Sequence, residues 1–321
     1  MKINKVLGIL IIYIISLMLL SNKSYAIFET AKITIRVVDE DNNNVDGAYV
    51  GIGFDDYRSP TKENSVRGIS DSEGRFTGSA PSTGYLGFNV TRDGYYKSIG
   101  HYSFKEKNLS GWQPWNPELR VLLRKIENPV PMYARDTKES RIEIPVVEKD
   151  VGFDLTKFDW IAPYGKGEHA DFIFNLKKRF ENWNDQDCVM NISFSNENDG
   201  IMLIEDDLGY GSFFKLPRYA PEMGYVDNIQ LFIHAGGKWD SNLDKKNNFI
   251  FRVRSKVEKD KKIKAMYGKI LGGIFFGPNF SKTATISFKY YLNPDYTRNL
   301  EFDARRNLFG NLPPLERVGI Q

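Results

Sequence analysis

The chain has 321 residues, of which 41% are hydrophobic and 26% are charged, and its formal net charge is +3. Its first 26 residues carry three lysines and no acidic residue, so 41 of the 44 basic residues remain against 41 acidic residues. A chain without net charge has no global field that steers it to nucleic acid or to an anionic membrane, which argues against a nucleic-acid-binding protein. The apolar fraction excludes wholesale disorder, and the length suffices for two hydrophobic cores.

The first 26 residues have the pattern of a secretory signal peptide. Lys2 and Lys5 precede an apolar run over residues 6–20, and Ser24 and Ala26 are the small residues at the positions that a signal peptidase reads. The alternative is a transmembrane anchor, but the run is shorter than the roughly 18–20 residues that a spanning helix needs. No cysteine follows the run, which excludes a lipid anchor at this site. We therefore predict cleavage after Ala26 and a secreted or periplasmic protein with no stable membrane span after cleavage.

Cys188 is the only cysteine, so the chain forms no internal disulfide. It belongs to the alternating apolar series Cys188, Met190, Ile192 and Phe194, which predicts a buried thiol on the apolar face of a strand. With three histidines and one cysteine in the whole chain, the sequence offers little for a zinc site. We expect neither a metal nor another cofactor.

Residues 31–125 form the first predicted domain. Ile33, Ile35 and Val37 alternate with polar residues, as in a half-buried strand, and short strands of this kind recur between turn signals up to Lys125. About seven strands at regular spacing predict an antiparallel, immunoglobulin-like sandwich.

Three segments of this region, in this order, resemble the carboxypeptidase regulatory-like domain, which has a transthyretin-like fold. The segments are Val37-Val38-Asp39 with Val45-Asp46-Gly47-Ala48-Tyr49-Val50, then Gly68-Ile69-Ser70-Asp71-Ser72-Glu73-Gly74-Arg75-Phe76, and then Asp93-Gly94-Tyr95. The family pattern is a strand ending in Asp, a turn, PV-x-GA-x-V, T-D-x-x-G-x-F and a GY turn. This chain departs from it at the first turn, where Asn42 and Asn44 replace the usual Gly and Pro, and by a long aromatic insertion before the last strand. The resemblance implies an exported, seven-stranded, non-catalytic module and transfers no active-site residue.

The acidic turn after the first strand does not match an EF-hand calcium loop. An EF-hand loop that began at Asp39 would need glycine at its sixth position and a bidentate acid at its twelfth. Those positions hold Asn44 and Val50, which excludes an EF-hand. The pattern favours a plain turn, and the alternative is a looser surface calcium site that uses Asp39, Asp41, Asn43 and Asp46.

Aromatic residues near the end of the first domain are the candidate binding residues. They are Tyr95, Tyr96, Tyr102, Phe104, Trp112 and Trp115. The segment 111–117 contains two prolines, which fix extended backbone and exclude regular structure. Its tryptophans suit stacking on sugar rings or anchoring a protein partner. The alternative is that they cover the end of the sandwich or seal the joint with the second domain.

Residues 126–321 form the second predicted domain, which begins at the proline-rich joint 128–131. Its apolar residues recur with a period of two, for example at Phe172, Phe174 and Leu176, and no amphipathic helix is recognisable. We predict an all-β chain of two β-sandwiches in tandem, the second with an extended C-terminal tail. This half resembles uncharacterised exported bacterial proteins, which implies no function.

The second predicted domain contains two groups of polar residues that could take part in catalysis. Asp171 could orient the imidazole of His169, and Glu205 could act as a glycosidase carboxylate. Neither is accompanied by a nucleophile motif or a recognisable partner acid, so we predict polar structural roles and no catalytic residue. Trp239, in a glycine-rich loop after His234, is a further candidate binding residue.

The sequence thus favours a non-catalytic exported protein that binds or scaffolds a protein or glycan of the cell envelope. The alternatives are a carbohydrate-binding protein that uses surface Trp and Tyr residues, or a hydrolase with its site in the second domain.

Overall fold

The structure is a computed structural model that describes residues 29–55, 64–206, 210–260, 262–278 and 283–319. The predicted signal peptide lies outside these ranges. Within them, the regular elements are β-strands and a single 3-10 turn, Pro314–Glu316. The predicted all-β class with β-sandwich architecture is confirmed.

The chain divides into two compact units. The first comprises residues up to Val38, Asn44–Val90 and Gly100–Val121, and the second comprises Asp39–Asn43, Thr91–Ile99 and Leu122–Gln321. The last division falls close to the predicted boundary before Ile126. Two short segments of the predicted first domain, however, belong to the second unit.

The first unit contains a three-stranded sheet, a larger sheet and a small hairpin. Its strands are β1 (Thr30–Val38), β2 (Tyr49–Phe54), β3 (Ser65–Ile69), β4 (Arg75–Pro81), β5 (Tyr85–Thr91), β7 (Ser98–Ser103), β8 (Glu106–Asn108), β9 (Gly111–Gln113) and β10 (Glu118–Leu122). The strand orders are β10-β1-β4, β7-β5-β2-β3 and β8-β9.

Small residues allow the strands of the first unit to pack closely. A Cβ atom at Gly78 of β4 would lie 2.9 Å from the Cδ1 of Ile52 on β2, and one at Gly68 of β3 would lie 2.2 Å from the ring of Phe76. Alternate residues of β1 and β2, such as Ile33 and Val50, are fully buried. The period-two pattern therefore identifies the inner face of this unit correctly.

The second unit has longer strands. They are β6 (Tyr95–Tyr96), β11 (Arg124–Lys125), β12 (Val130–Asp136), β13 (Ile142–Glu143), β14 (Val151–Asp154), β15 (Asp159–Trp160), β16 (Phe172–Asn182), β17 (Asp185–Ser193), β18 (Gly200–Glu205), β19 (Gly211–Ser212), β20 (Asn228–Gly236), β21 (Trp239–Ser241), β22 (Asn247–Val257), β23 (Ile263–Pro278), β24 (Ala284–Asn293) and β25 (Phe302–Asn307).

Two sheets of the second unit enclose a common hydrophobic core. Their strand orders are β15-β14-β16-β17-β20-β21 and β18-β22-β23-β24-β12-β25, with β13 paired to β24. Phe172 of the first sheet meets Phe251 of the second edge to face, with ring centroids 5.1 Å apart. Strand pairs are antiparallel except β12 with β25, which is parallel. This is the sheet-on-sheet arrangement that the alternation predicted.

The outer face of the second of these sheets carries a buried ionic cluster. Lys269 of β23 is fully buried, and its Nζ lies 4.9 Å from the ring centroid of Phe214. The Arg124 and Arg218 guanidinium carbons lie 4.1 and 5.0 Å from the same centroid. Arg218 bonds Glu301, which is itself fully buried, at 2.8 Å. We call Lys269, Phe214, Arg124, Arg218 and Glu301 the Phe214 cluster.

The protonation of Lys269 makes the stability of the protein depend on pH. Burial and the nearby Arg124 guanidinium lower the pKa of Lys269 to about 7, below its ordinary value. At pH values between this lowered pKa and the ordinary lysine pKa, Lys269 is protonated in the unfolded chain and neutral in the folded chain. Stability therefore rises with pH across this window, and below it the full cost of burying the ammonium is present.

We expect the Lys269→Met variant to be more stable than the wild type at pH 6 and to lose this pH dependence. The lysine contributes a slope of about 1.4 kcal/mol per pH unit from about pH 7 upward. Urea unfolding at pH 6, 7.5 and 9 measures the difference between the two proteins. Lys149→Met, at an exposed lysine, is the control and should follow the wild type. Parallel profiles of the wild type and Lys269→Met would contradict the assignment.

Candidate functional site

The tryptophan loop of the first unit is held in place by its own unit. Trp112 is half-buried, and its Nε1 donates a hydrogen bond of 2.9 Å to the carbonyl of Ser82. A Cβ atom at Gly84, whose φ is +100°, would lie 2.8 Å from the indole ring, so the glycine is needed there. Trp112 therefore covers strand ends, and its indole nitrogen is already occupied.

Trp115 presents more of its surface than Trp112. It is 47% exposed, and the Nζ of Lys32 lies 5.9 Å from its ring centroid. The loop around it is fixed to β1, because Thr34 donates its hydroxyl proton to Asn116 and its backbone amide proton to the carbonyl of Pro117.

Tyr95 and Tyr96 belong to the second unit and not to the unit that carries Trp112 and Trp115. Tyr96 is buried, and its hydroxyl donates to the carboxylate of Glu301 at 2.7 Å. Burial and this bond raise the pKa of the Tyr96 hydroxyl well above its ordinary value. Tyr96 is therefore part of the ionic core and offers almost no surface to a partner.

Trp239 lies on the edge strand β21 and is 57% exposed. A second tryptophan, Trp183, is 58% exposed in the turn between β16 and β17. Sequence reasoning missed Trp183. Its position between Asn182 and Asn184, at a break in the alternation of two strands, could have shown that it occupies a polar turn.

The two exposed tryptophans lie at the same end of one sheet. A row of directly opposed residues crosses four strands at this end. Phe180 of β16 is opposite Gln186 of β17, Gln186 is opposite Ala235 of β20, and Ala235 is opposite Trp239 of β21. Directly opposed residues project from the same side of a sheet, so this row faces one way. The Trp183 ring meets Phe180 edge to face, with centroids 5.2 Å apart. We call Phe180, Trp183, Gln186, Ala235 and Trp239 the sheet-end cluster.

The row lies on the same face of the sheet as Cys188, Met190 and Ile192 of β17, so Gln186 belongs to the end of the hydrophobic core. The outer strands of the row are three strand spacings apart, which is about 14 Å between backbones. Gln186 is 1% exposed, and its Nε2 donates to the carbonyl of Trp183 at 3.1 Å, which ties the turn to the sheet. Its Oε1 is buried and has no hydrogen-bond partner among the described residues.

The carboxylate of Asp171 does not orient His169. It bonds the Arg254 guanidinium at 2.7 and 2.8 Å, and the same guanidinium bonds Asp154 at 2.9 Å. Burial raises the pKa of Asp171 despite the opposing effect of Arg254. The second oxygen of Asp154 accepts the backbone amides of Glu168 and His169. These carboxylates hold loops and a strand together.

Glu205 and Asp206 are exposed at the end of β18, and the adjacent Asp207 lies outside the described residues. With Asp244, Lys246 and Asn247 they line an open cavity of about 360 Å³. The backbone amide of Asp206 donates to the carbonyl of Lys246, so the acidic turn is joined to the residue that precedes β22.

Cys188 and the histidines form no recognisable metal centre. The predicted burial of the Cys188 thiol is confirmed, and burial raises its pKa. Within the described ranges, no group of three or more His, Cys, Asp or Glu side chains is placed to hold a metal ion. Nor does any helix in those ranges have the length and apolar character needed to cross a membrane.

Comparison with known proteins gives no family for this chain. No family model matches it, and no curated protein matches it. Among solved structures, it is similar to 3-chlorocatechol 1,2-dioxygenase from Rhodococcus opacus (12% identity, TM-score 0.26, 30% of this chain and 60% of that chain). Hydroxyquinol 1,2-dioxygenase from Pseudomonas putida gives 13% identity and a TM-score of 0.24 over 30% of this chain and 57% of that one. The chain therefore matches about three fifths of those proteins, and at these TM-scores the likeness says nothing about its fold or activity.

We expect Arg254→Met to destabilise the protein strongly at pH 7. The substitution leaves Asp154 and Asp171, both fully buried or nearly so, without their shared cation. Breaking a buried pair in this way costs about 3–5 kcal/mol, and urea unfolding measures it. Arg179→Met is the matched control, because its ion pair with Asp185 is half exposed and is worth less than about 1 kcal/mol. Equal losses in the two variants would show that the Arg254 cluster is not a stabilising element.

Proposed function

We propose that the chain is an exported, non-catalytic protein that binds or scaffolds a component of the cell envelope. The observation that carries this proposal is the exposure of Trp183 and Trp239, at 58% and 57%, on neighbouring hairpins at one end of a sheet. Exposed indoles lose the stabilisation that burial would give them, on the order of 2 kcal/mol each. A partner that covers both recovers it.

The hairpins hold the tryptophans in fixed positions, which favours binding. The β16–β17 turn is tied by the Gln186 side chain and by Asn182, whose Oδ1 accepts the Asn184 amide at 2.9 Å. Trp239 is held by backbone pairing with Ala235. Rigid aromatic anchors lose little conformational entropy on association, so more of their contact energy appears as affinity.

The contacts of the candidate acid–base residues support a non-catalytic role. Asp171 is occupied by Arg254, and His169 takes part in the same network through its backbone amide. Residues 31–125 would be a carboxypeptidase regulatory-like module in this proposal, which agrees with an exported protein that carries no reaction. The balanced charge after the first 26 residues makes a protein or glycan a better partner than nucleic acid.

We expect the mature protein to co-sediment with an isolated, washed envelope fraction, and the double variant Trp183→Ala/Trp239→Ala to remain in the supernatant. Each substitution removes an exposed anchor whose loss should weaken binding about tenfold or more. Trp115→Ala, which removes a tryptophan that is 47% exposed in the other unit, should sediment like the wild type. Circular dichroism melts verify that all variants are folded. Sedimentation of the double variant at the wild-type level would refute this surface.

We expect export to remove the first 26 residues. The pattern of Lys2, Lys5, the apolar run and Ala26 places the cleavage site after Ala26. Intact-mass measurement of protein recovered from the periplasm or medium of an expressing Gram-negative host should give a chain that begins at Ile27. Recovery of the uncut chain in the membrane fraction would support the anchor alternative instead.

A further inference from the structure

A small cavity lies on the outer face of the sheet that contains β23 and β24. Phe275 and Gly277 of β23 are directly opposite Ser287 and Thr285 of β24. The residues that alternate with them, such as Ile286, pack in the core between the two large sheets, so these four positions face away from that core. The cavity that they line has a volume of about 280 Å³.

Two cations line the same cavity from the turn that joins β12 to β13. They are Lys138 and Arg141. The turn is fixed to β24, because the buried Thr137 hydroxyl donates to the carbonyl of Phe288 and accepts the amide proton of the same residue. On the other side of the turn, β13 pairs with the same strand. We call Lys138, Arg141, Phe275, Gly277, Thr285 and Ser287 the basic pocket.

Gly277 leaves the space in the floor of the basic pocket. A Cβ atom at this position would lie 3.5 Å from the hydroxyl oxygen of Thr285, so a larger side chain would occupy the cavity. The φ angle of Gly277 is outside the left-handed region, so its backbone conformation does not require glycine. The absence of a side chain therefore matters for the space and not for the path of the strand.

The polar side chains of the basic pocket are all donors. Lysine and arginine only donate hydrogen bonds, and the hydroxyls of Thr285 and Ser287 donate as well as accept. Within the described ranges, these four side chains make no hydrogen bond or ion pair, and no acidic side chain lines the cavity. Glu139 of the same turn is exposed and is not part of the lining. Four donors without an acceptor are complementary to an oxyanion.

The neighbouring carboxylates bond other groups. Glu143 accepts the hydroxyl proton of Thr283 at 3.3 Å. Asp136 accepts the backbone amide proton of Lys138 and lies 3.7 Å from the Nζ of Lys289. Burial and the positive charge of Lys138 lower the pKa of Lys289, and Asp136 opposes this effect. An anion in the pocket would reduce the repulsion between these cations.

We propose that the basic pocket binds the oxyanion of a phosphate or sulfate ester, with the ester group against the ring of Phe275. The two cations and the two hydroxyls donate to the oxygens of the anion. A phosphate or sulfate group offers three oxygens to donors that come from two sides, the turn and the sheet, whereas a planar carboxylate offers two. The pocket contains no tryptophan, so this inference goes beyond the proposed function and does not rest on it.

The test is isothermal titration of the protein at low ionic strength with phenyl phosphate, phenyl sulfate and benzoate. At least one of the two esters should bind more tightly than benzoate, and added sodium chloride should weaken it. The tighter of the two identifies the anion. The double variant Lys138→Gln/Arg141→Gln should bind that ester about tenfold more weakly or worse. Lys149→Gln, at an exposed lysine of the same unit outside the pocket, should bind like the wild type.

A second variant fills the pocket and leaves its charges in place. Gly277→Val adds a side chain that suits a strand and projects into the cavity, so affinity for the ester should fall about tenfold or more. Melting curves establish that each variant is folded.

Several outcomes overturn the proposal. It is wrong if neither ester binds, if benzoate binds as tightly as both esters, or if Lys138→Gln/Arg141→Gln keeps full affinity. Full affinity of a folded Gly277→Val protein would place the anion outside the cavity and would also overturn it. Envelope sedimentation depends on Trp183 and Trp239 in the proposed function, so either proposal can fail while the other stands.

Discussion

The second unit depends on a buried ion pair between Arg218 and Glu301. The two residues lie far apart in the sequence, and their side chains are 7% and 0% exposed. The Glu301 carboxylate also accepts the Tyr96 hydroxyl and the backbone amides of Glu127 and Asn128. One buried carboxylate thus ties together β6, the start of β12 and the segment before β25, because each donor would otherwise lack a partner away from water.

The Phe214 cluster explains why the periodicity of the sequence alone does not predict which segments belong to the second unit. Three cations approach the ring of Phe214 within about 5 Å, where cation–π attraction is significant. Glu40 adds a carboxylate that bonds both Arg124 and Arg218 at 2.8 Å. Glu40 comes from the turn 39–43, which is how a segment of the predicted first domain becomes part of the second unit. A buried charge is tolerated only with such partners, so the cluster constrains which segments can fold together.

The pattern of the sequence predicted where strands occur. It did not predict which side chains of different strands and loops contact each other. Alternation at Phe172, Phe174 and Leu176 identified a half-buried strand because the period of two is imposed by the backbone. It could not show that Trp112 donates to Ser82 or that Tyr96 faces Glu301, since both contacts join residues whose proximity is set by strand pairing. Lys269 looked like any charged strand residue, and only the segment that covers it reveals that it is buried.

The sheet-end cluster could not be predicted for the same reason. Trp183 and Trp239 are separated along the chain by β17 and β20, and they share a sheet end because β17 pairs with both β16 and β20 in antiparallel register. A shift of one residue in either pairing would turn Gln186 and Ala235 to the opposite face from their neighbours in the row. The core prevents such a shift, because Cys188, Met190 and Ile192 of β17 would leave it together. The sheet end at which the two exposed indoles lie is therefore fixed by the buried half of the same strands.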